Sequence, residues 1–96
     1  MPQFLILARD FPGSSSLDRR LSVRPNHLDR MRDARKTGIF IMGGATLDSE
    51  GRMNGSMMVI QMPSIEEVDR WIRMDPYVTG QVWEKFEIRP FRVAEV

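Results

Sequence analysis

The sequence predicts an α+β fold of the ferredoxin-like type, with elements in the order β-α-β-β-α-β. Two observations lead to this prediction. Four segments with strand-like apolar patterns are interleaved with two segments of helical periodicity. The length of 96 residues suits a single domain, 1–96, and is too short for two. This order gives a four-stranded antiparallel sheet with two helices on one face.

The first element is a strand, because residues 4–8 are uniformly apolar and suit a central position in a sheet. Residues 10–16 (DFPGSSS) form a loop. Ser16 is expected to cap a short helical turn, with Leu17 and Leu21 four residues apart on its inner face.

The main helix is predicted to begin at Pro25, since the first helical position needs no N–H, and to end at Gly38 as a left-handed C-cap. Its inner face is predicted to hold Leu28, Met31 and Ala34. Its solvent-facing side is predicted to hold Asp29, Arg30, Arg32, Asp33 and Lys36.

Two strands joined by a hairpin follow. The second strand covers 39–45 (IFIMGGA), the polar turn region covers 48–55 (DSEGRMNG), and the third strand covers 56–62. At the end of the second strand, Gly43 and Gly44 lack side chains, so another group is able to approach the backbone there.

The second helix is predicted to begin at a capping box formed by Ser64 and Glu67. It ends at Asp75-Pro76, because a residue before proline avoids the helical region. Its inner stripe is Ile65, Val68 and Ile72, with Trp71 beside it. An alternating pattern predicts the last strand over 82–90.

The predicted fold leaves one sheet face without a helix. Along the third strand, one side carries Met57, Val59 and Gln61, and the other carries Met58, Ile60 and Met62. Both sides are largely apolar, and a second subunit's sheet would cover the open one. We therefore expect a homodimer through the open sheet face.

Composition argues against several classes of function. The net charge of +1 and the lack of aromatic residues in the third strand give no indication of nucleic-acid binding. With no cysteine and one histidine, neither a metal site nor a cofactor is expected. The apolar N-terminal stretch is too short for a signal peptide or a membrane span, so a cytoplasmic protein is expected.

His27 is the first candidate for chemistry. It lies four and seven residues before Met31 and Ala34, so it faces inward or along the seam between helix and sheet. One interpretation is a half-buried neutral histidine with a backbone partner. The other is a general acid or base, since an ordinary imidazole titrates near neutral pH.

Asp75 also has two interpretations. It suits the N-cap of a short turn over 76–78, because Asp-Pro is common at that place. It also suits a carboxylate that orients an imidazole and stabilises its charged form. The two roles are compatible, because a carboxylate has several lone pairs.

Six motifs, in this order, resemble those of the YciI-like (YCII-related) family of small dimeric α+β barrel proteins: A-R-D (8–10), R-L-S-V-R-P-N-H-L (20–28), Gly43-Gly44, G-S (55–56), D-P-Y-V (75–78) and R-P-F (89–91). The resemblance implies a ferredoxin-like fold, a dimer and a cleft centred on a histidine–aspartate pair, which falls on His27 and Asp75. One related branch of that family acts on chlorinated hydroxyquinols as a dehydrochlorinase. Further substrate-binding candidates are Arg24, Arg9, Asp10, Tyr77, Ser22 and Gly44.

Several of these candidates have structural alternatives. Arg24 either binds an anionic group or pairs with Asp18 or a neighbouring carboxylate, and Tyr77 either donates its hydroxyl into the site or belongs to the core. Ser22 either contacts a ligand or caps the main helix. Arg9 and Asp10 either line the cleft or form a solvated strand end.

The leading hypothesis for function is a small metal-free enzyme. His27, held by Asp75, would move a proton on a small anionic or aromatic substrate in a lyase, isomerase or hydrolase step. The alternative is a non-catalytic, dimeric, small-molecule-binding module that uses the same cleft. RNA binding on the sheet is the weakest of the three hypotheses.

Overall fold

The computed structural model describes all 96 residues. Its helices and strands are, in chain order, β1 (Gln3–Asp10), α1 (Ser16–Lys36), β2 (Phe40–Leu47), β3 (Met53–Gln61), α2 (Ile65–Arg73), α3 (Pro76–Thr79) and β4 (Trp83–Phe91). The strands form one antiparallel sheet in the order β2-β3-β1-β4. The predicted ferredoxin-like α+β fold is confirmed. No helix is both long enough and apolar enough to cross a membrane.

The core lies between the helices and one face of the sheet. On the two central strands, Phe4 pairs with Ile60 and Ile6 pairs with Met58, and all four are buried. These side chains share one face because successive residues of a strand point to opposite sides. The helical residues of the same core cluster are Met31, Val68, Ile72 and Tyr77.

The opposite face of the sheet carries the alternate residues of the same strands. Leu5 pairs with Val59 and Leu7 pairs with Met57, so four apolar residues adjoin one another there. Met42 of β2 pairs with Val59 and is 51% exposed. The helices therefore leave an apolar patch on this face, as the alternation in the third strand predicts.

The first helix differs from its prediction. It runs without a break from Ser16 to Lys36, with Pro25 inside it. Pro25 therefore does not begin the helix, although a proline inside a helix removes a backbone hydrogen bond. The helix continues because it packs on both sides of the proline: Arg20 before it and His27 after it are both buried on the same side.

The inner face of the first turns also differs from its prediction. Leu21 is 46% exposed, whereas Arg20 is only 2% exposed. The N-cap residue is Ser15 and not, as predicted, Ser16, which is the first residue of the helix. The Ser15 side chain makes no capping hydrogen bond. At the other end, Gly38 has the predicted left-handed conformation, with φ of +82°.

The hairpin between β2 and β3 is confirmed, but both strands are longer than predicted. Thr46 pairs with Gly55 and Leu47 pairs with Met53, so the turn shortens to residues 48–52. Within this turn, the Asp48 carboxylate accepts the backbone N–H groups of residues 50 and 52. Cross-strand pairing therefore continues into a segment whose polar composition is typical of a turn.

The boundaries of the later helices follow local signals. Ser64 accepts a hydrogen bond from the backbone N–H of Glu67, which confirms the predicted cap of α2. Asp75 ends that region and is the N-cap of α3, where its side chain accepts the backbone N–H of Tyr77. This cap places Asp75 against the middle of α1, where His27 lies.

Candidate functional site

A cavity of about 250 Å³ lies between α1 and the adjoining strands β2 and β3. The residues that line it are Arg20, Arg24, His27, Leu28, Met31, Arg32, Arg35, Phe40, Gly43, Gly44, Ala45, Ser56, Met58 and Tyr77. Apolar side chains and backbone form much of this lining, and the polar groups come mainly from one side of α1. Such a combination is typical of a small-molecule site.

His27 and Asp75 meet at this cavity. The His27 Nδ1 atom lies 2.8 Å from Asp75 Oδ2, although the two residues are 48 apart in the chain. His27 is 7% exposed and Asp75 is fully buried. A carboxylate accepts hydrogen bonds, so this contact assigns the imidazole hydrogen to Nδ1 and leaves the Nε2 lone pair without a partner in the protein.

Three donors converge on the Asp75 carboxylate. Oδ2 accepts from His27 Nδ1 and from the backbone N–H of Tyr77 at 2.9 Å, and Oδ1 accepts from Arg30 Nη1 at 3.2 Å. Asp75 therefore caps a helix and contacts the imidazole at once. Arg30 also donates to the Trp71 carbonyl and lies over the Trp71 ring, so its prediction as a solvent-facing residue is wrong.

Tyr77 stacks on the imidazole. The ring centroids of Tyr77 and His27 are 3.9 Å apart and the planes differ by 15°. The Arg20 guanidinium carbon is 4.6 Å from the centre of the Tyr77 ring. Burial raises the pKa of the Tyr77 hydroxyl above its ordinary value of 10.0, and the positive charges of Arg20 and Arg24 partly offset this effect. At neutral pH the hydroxyl keeps its proton and is able to donate a hydrogen bond.

A buried ion pair lies behind the Tyr77 ring. Arg20 Nη1 donates to both carboxylate oxygens of Asp10, at 2.8 and 3.1 Å, and Arg20 Nη2 donates to Ser56 Oγ at 2.7 Å. Burial raises the pKa of the Asp10 carboxyl, while the charge and hydrogen bonds of Arg20 lower it and so offset part of that rise. Asp10 holds Arg20 in place and does not itself line the cavity.

The charges around the cavity are unbalanced. Four arginines line it and no carboxylate does. Arg20 pairs with Asp10, and Arg32 pairs with Asp29 on the surface. The other two, Arg24 and Arg35, form no ion pair, so the alternative in which Arg24 pairs with Asp18 or a neighbouring carboxylate is wrong. An anionic group would meet uncompensated positive charge here.

The two glycines of β2 have different roles. A Cβ at Gly43 would lie 2.7 Å from the Met57 carbonyl oxygen and 2.9 Å from Met58 Cγ, so only glycine fits without a shift of β3. A Cβ at Gly44 would have no atom within 4 Å. The close backbone approach is therefore at Gly43, and Gly44 leaves space along the cavity wall.

Besides Asp10, two predicted substrate-binding residues, Arg9 and Ser22, do not line the cavity. Arg9 pairs with Gly55 and Lys85 and is an exposed residue on the open face of the sheet. Ser22 is exposed inside α1, where its hydroxyl donates to the Arg19 carbonyl, so it neither caps the helix nor lines the cavity. Arg9 agrees with the alternative of a solvated strand end. Ser22 lies inside a helix because the segment before Pro25 is continuous with the main helix.

The sequence prediction missed Arg20, Arg30 and Ser56. Arg20 lies seven residues before His27, so a continuous helix would have placed it on the His27 side. A helix start at Pro25 excludes Arg20 from this face, whereas the continuous helix includes it. Arg30 and Ser56 gave no such cue, because arginine and serine are ordinarily exposed and their partners come from distant segments.

The fold and the cavity together define a small ferredoxin-like α+β protein with a histidine and an aspartate in contact beside the sheet. The model of the YCII-related domain matches residues 2–92. The chain belongs to the YCII-related family.

Individual relatives agree with this assignment. Protein YciI of Escherichia coli is 33% identical over 95 residues, which cover 93% of this chain and 95% of that protein. The solved structure of TftG from Burkholderia phenoliruptrix, a 5-chloro-2-hydroxyhydroquinone dehydrochlorinase in complex with 2,5-dihydroxybenzoquinone, has a TM-score of 0.84 at 24% identity and covers 96% of this chain and 95% of its own. A dimeric ferredoxin-like protein of unknown function from Jannaschia has a TM-score of 0.56 at 10% identity and covers 97% and 100%. At these identities the two structures show the shared fold alone.

Proposed function

We propose that the protein is a small enzyme in which His27 moves a proton on a small anionic substrate with an aromatic or otherwise planar body. The observation that carries this proposal is the contact of His27 Nδ1 with the buried Asp75, which leaves Nε2 as a base at the cavity. When Nε2 takes a proton, the Asp75 carboxylate stabilises the imidazolium. A lyase, isomerase or hydrolase step is compatible with this chemistry.

The surroundings of His27 support the choice of substrate. Arg24 and Arg35 offer two charges for an anionic group, and Leu28, Met31 and Phe40 offer apolar surface for a ring. The cavity is small, so a single-ring compound suits it better than a larger ligand. The dehydrochlorinase activity of TftG, a protein of the same fold, makes hydroxylated and chlorinated aromatic compounds a first set to test.

The test is a screen of single-ring hydroxylated and carboxylated aromatics, including 5-chloro-2-hydroxyhydroquinone, followed by absorbance and by product analysis. For a compound that is converted, His27→Gln is expected to lower the turnover by about 10²–10⁴-fold, because one positioned acid–base group contributes that much. Asn26→Gln, at the exposed neighbouring position, is the matched control and is expected to keep full turnover.

The second candidate is a binding module without catalysis. The charged and apolar lining of the cavity alone would support it. Compounds that raise the melting temperature of both the wild type and His27→Gln, with no conversion by either, would favour this module and contradict the enzyme.

We also propose that the protein is a homodimer through the apolar patch of Leu5, Leu7 and Met57, which surrounds the already buried Val59. Partial exposure of Leu5, Leu7 and Met57 supports this, since a second sheet would cover them. Leu7→Glu is expected to give a monomer in analytical ultracentrifugation, because it places a charge at the centre of the patch. Leu21→Glu changes an exposed leucine on the helical side and is expected to leave the dimer intact. A Leu7→Glu protein that sediments as the wild type does would contradict this interface.

A further inference from the structure

Ser56 lies on β3, where it pairs with Ala8 of β1 and Ala45 of β2. It is buried and lines the cavity that also holds His27. None of the substrate-binding roles considered above involves this serine. Its hydrogen bonds nevertheless restrict what its hydroxyl is able to do.

A serine hydroxyl has two lone pairs and one hydrogen. Both lone pairs of Ser56 Oγ face donors: Arg20 Nη2 at 2.7 Å and Trp83 Nε1 at 3.3 Å. Neither a guanidinium nor an indole N–H is able to accept a hydrogen bond in return. The hydroxyl hydrogen of Ser56 has no acceptor in the protein, and a buried polar hydrogen is rarely left unpaired.

The charge of Arg20 strengthens this hydroxyl as a donor. A hydrogen bond from a guanidinium polarises the oxygen that accepts it, and donors in such a chain reinforce one another. Arg20 itself is fixed, because its Nη1 is bound to both oxygens of Asp10 and its Nη2 to Ser56. The positive charge therefore acts on the cavity through Ser56.

Tyr77 supplies a second hydroxyl to the same cavity. It lines the cavity, and its oxygen forms no hydrogen bond with the protein. Its ring stacks on His27, so the base and the second donor are adjacent. The cavity thus combines one proton acceptor, His27 Nε2, with two hydroxyl donors and with no carboxylate among its lining residues.

We propose that Ser56, with Tyr77 beside it, donates a hydrogen bond to a substrate oxygen that becomes negatively charged during the reaction. The substrate class is then a small enolisable carbonyl compound. This inference rests on the proposed proton transfer at His27 and adds the group that stabilises its product.

In the proposed step, a C–H bond next to the carbonyl group breaks and its proton goes to His27 Nε2. The electron pair of that bond forms the C=C bond of an enolate, and the carbonyl π electrons move onto the oxygen. No oxidant or further reactant is needed. The hydroxyl of Ser56 stays protonated and stabilises the oxyanion, as donors do in other sites where such charge develops.

Substituted phenolates of similar shape are the probes, because each carries a planar, charged oxygen like that of an enolate. Their affinities for the wild type are measured by titration calorimetry and plotted against the pKa of the phenol. We expect the affinity to rise with that pKa. Ser56→Ala is expected to weaken phenolate binding by about 10- to 100-fold and to flatten the plot, since a hydrogen bond to a charged group is lost.

Trp83→Phe is the matched control, because it removes the neutral donor to Ser56 Oγ and leaves both the hydroxyl and its charged partner Arg20 in place. It is expected to bind phenolates as the wild type does. If Ser56→Ala does not fold, Ser56→Cys replaces it, and its weaker S–H donor is expected to give reduced affinity.

Equal affinity of the wild type and the Ser56 variant would overturn the inference, as would equal losses in Ser56→Ala and Trp83→Phe, or no binding of phenolates by the wild type. These measurements need no turnover. They therefore test Ser56 separately from the proposed function, which fails instead if His27→Gln leaves turnover unchanged.

Discussion

Asp75→Asn is expected to lower the free energy of unfolding by about 3–5 kcal/mol, the usual cost of breaking a buried charged network by removing one partner. The reason is that an amide is unable to accept at both ends. If its oxygen takes the place of Oδ2, its NH₂ faces Arg30; if its oxygen takes the place of Oδ1, its NH₂ faces His27 and the backbone N–H of Tyr77. In either orientation a donor meets a donor.

In the orientation that turns its NH₂ towards His27, the same substitution is expected to change the imidazole tautomer. In the wild type the Asp75 carboxylate, which only accepts hydrogen bonds, favours the hydrogen on Nδ1. An amide NH₂ in that place favours a hydrogen on Nε2, which would remove the base from the cavity. The ¹⁵N shifts of the single histidine report this directly, with no need for assignment.

Urea unfolding, followed by tryptophan fluorescence at fixed protein concentration, measures the change in stability. Asp69→Asn is the control, because Asp69 pairs with Arg73 on the surface of α2, where solvent screens the interaction. An Asp75→Asn protein as stable as Asp69→Asn, with its imidazole hydrogen still on Nδ1, would show that the buried contact does not organise this site.

Arg20→Met is expected to destabilise the protein by about 3–5 kcal/mol at neutral pH, because it leaves the Asp10 carboxylate buried without its cation. Methionine keeps much of the apolar stem of arginine, so the change acts chiefly on charge and hydrogen bonding. The double variant Arg20→Met/Asp10→Leu is expected to recover most of the lost stability, since an apolar pair replaces the ion pair.

The loss in Arg20→Met should depend on pH with a definite sign. Burial raises the pKa of Asp10, and Arg20 opposes that rise, so removal of Arg20 raises the pKa of Asp10 further. A carboxyl whose pKa is higher in the folded state than in the unfolded state is less destabilising when protonated. The difference in unfolding free energy between wild type and Arg20→Met should therefore become smaller as the pH falls. It should become larger as the pH rises through the raised pKa of Asp10 in the variant.

Urea unfolding of the three proteins at several pH values measures this effect. The double variant, which has no carboxyl at this place, should show no such narrowing relative to the wild type. A gap between wild type and Arg20→Met that stays constant with pH would mean that the buried Asp10 charge is not what destabilises the variant.

Local signals in the sequence predicted much of the fold. The apolar alternation of the third strand, the cap at Ser64 and the left-handed Gly38 all depend on neighbouring residues, and the structure confirms each. Pro25, like the expected cap at Ser16, is an exception: the helix passes through Pro25 because it packs against the core on both sides of it. Propensity is a weak signal where tertiary contacts oppose it.

Part of the candidate site was also predictable from the sequence, and part was not. His27 was suspected from its residue type and its spacing to Met31, and Asp75 was expected at a helix cap. Their pairing entered only through the family resemblance, and the structure places the two atoms 2.8 Å apart. Arg9 lies at an exposed strand end, which was one of its two alternatives, whereas Ser22 lies inside a helix that begins earlier than predicted, and a different helix start moves a side chain to another face.

The sequence by itself determined the order of strands and helices, the apolar faces of the sheet and the residue types available for proton transfer, because each of these follows from composition and local periodicity. Only the tertiary structure decided that Arg20 is fully buried and Arg30 partly buried, and that Ser56 lines the cavity while it accepts hydrogen bonds from Arg20 and Trp83. A charged side chain is buried only where a partner compensates it. Arg20 has Asp10 and Ser56 as partners, and Arg30 has Asp75. These partners come from distant segments that only the folded chain brings together.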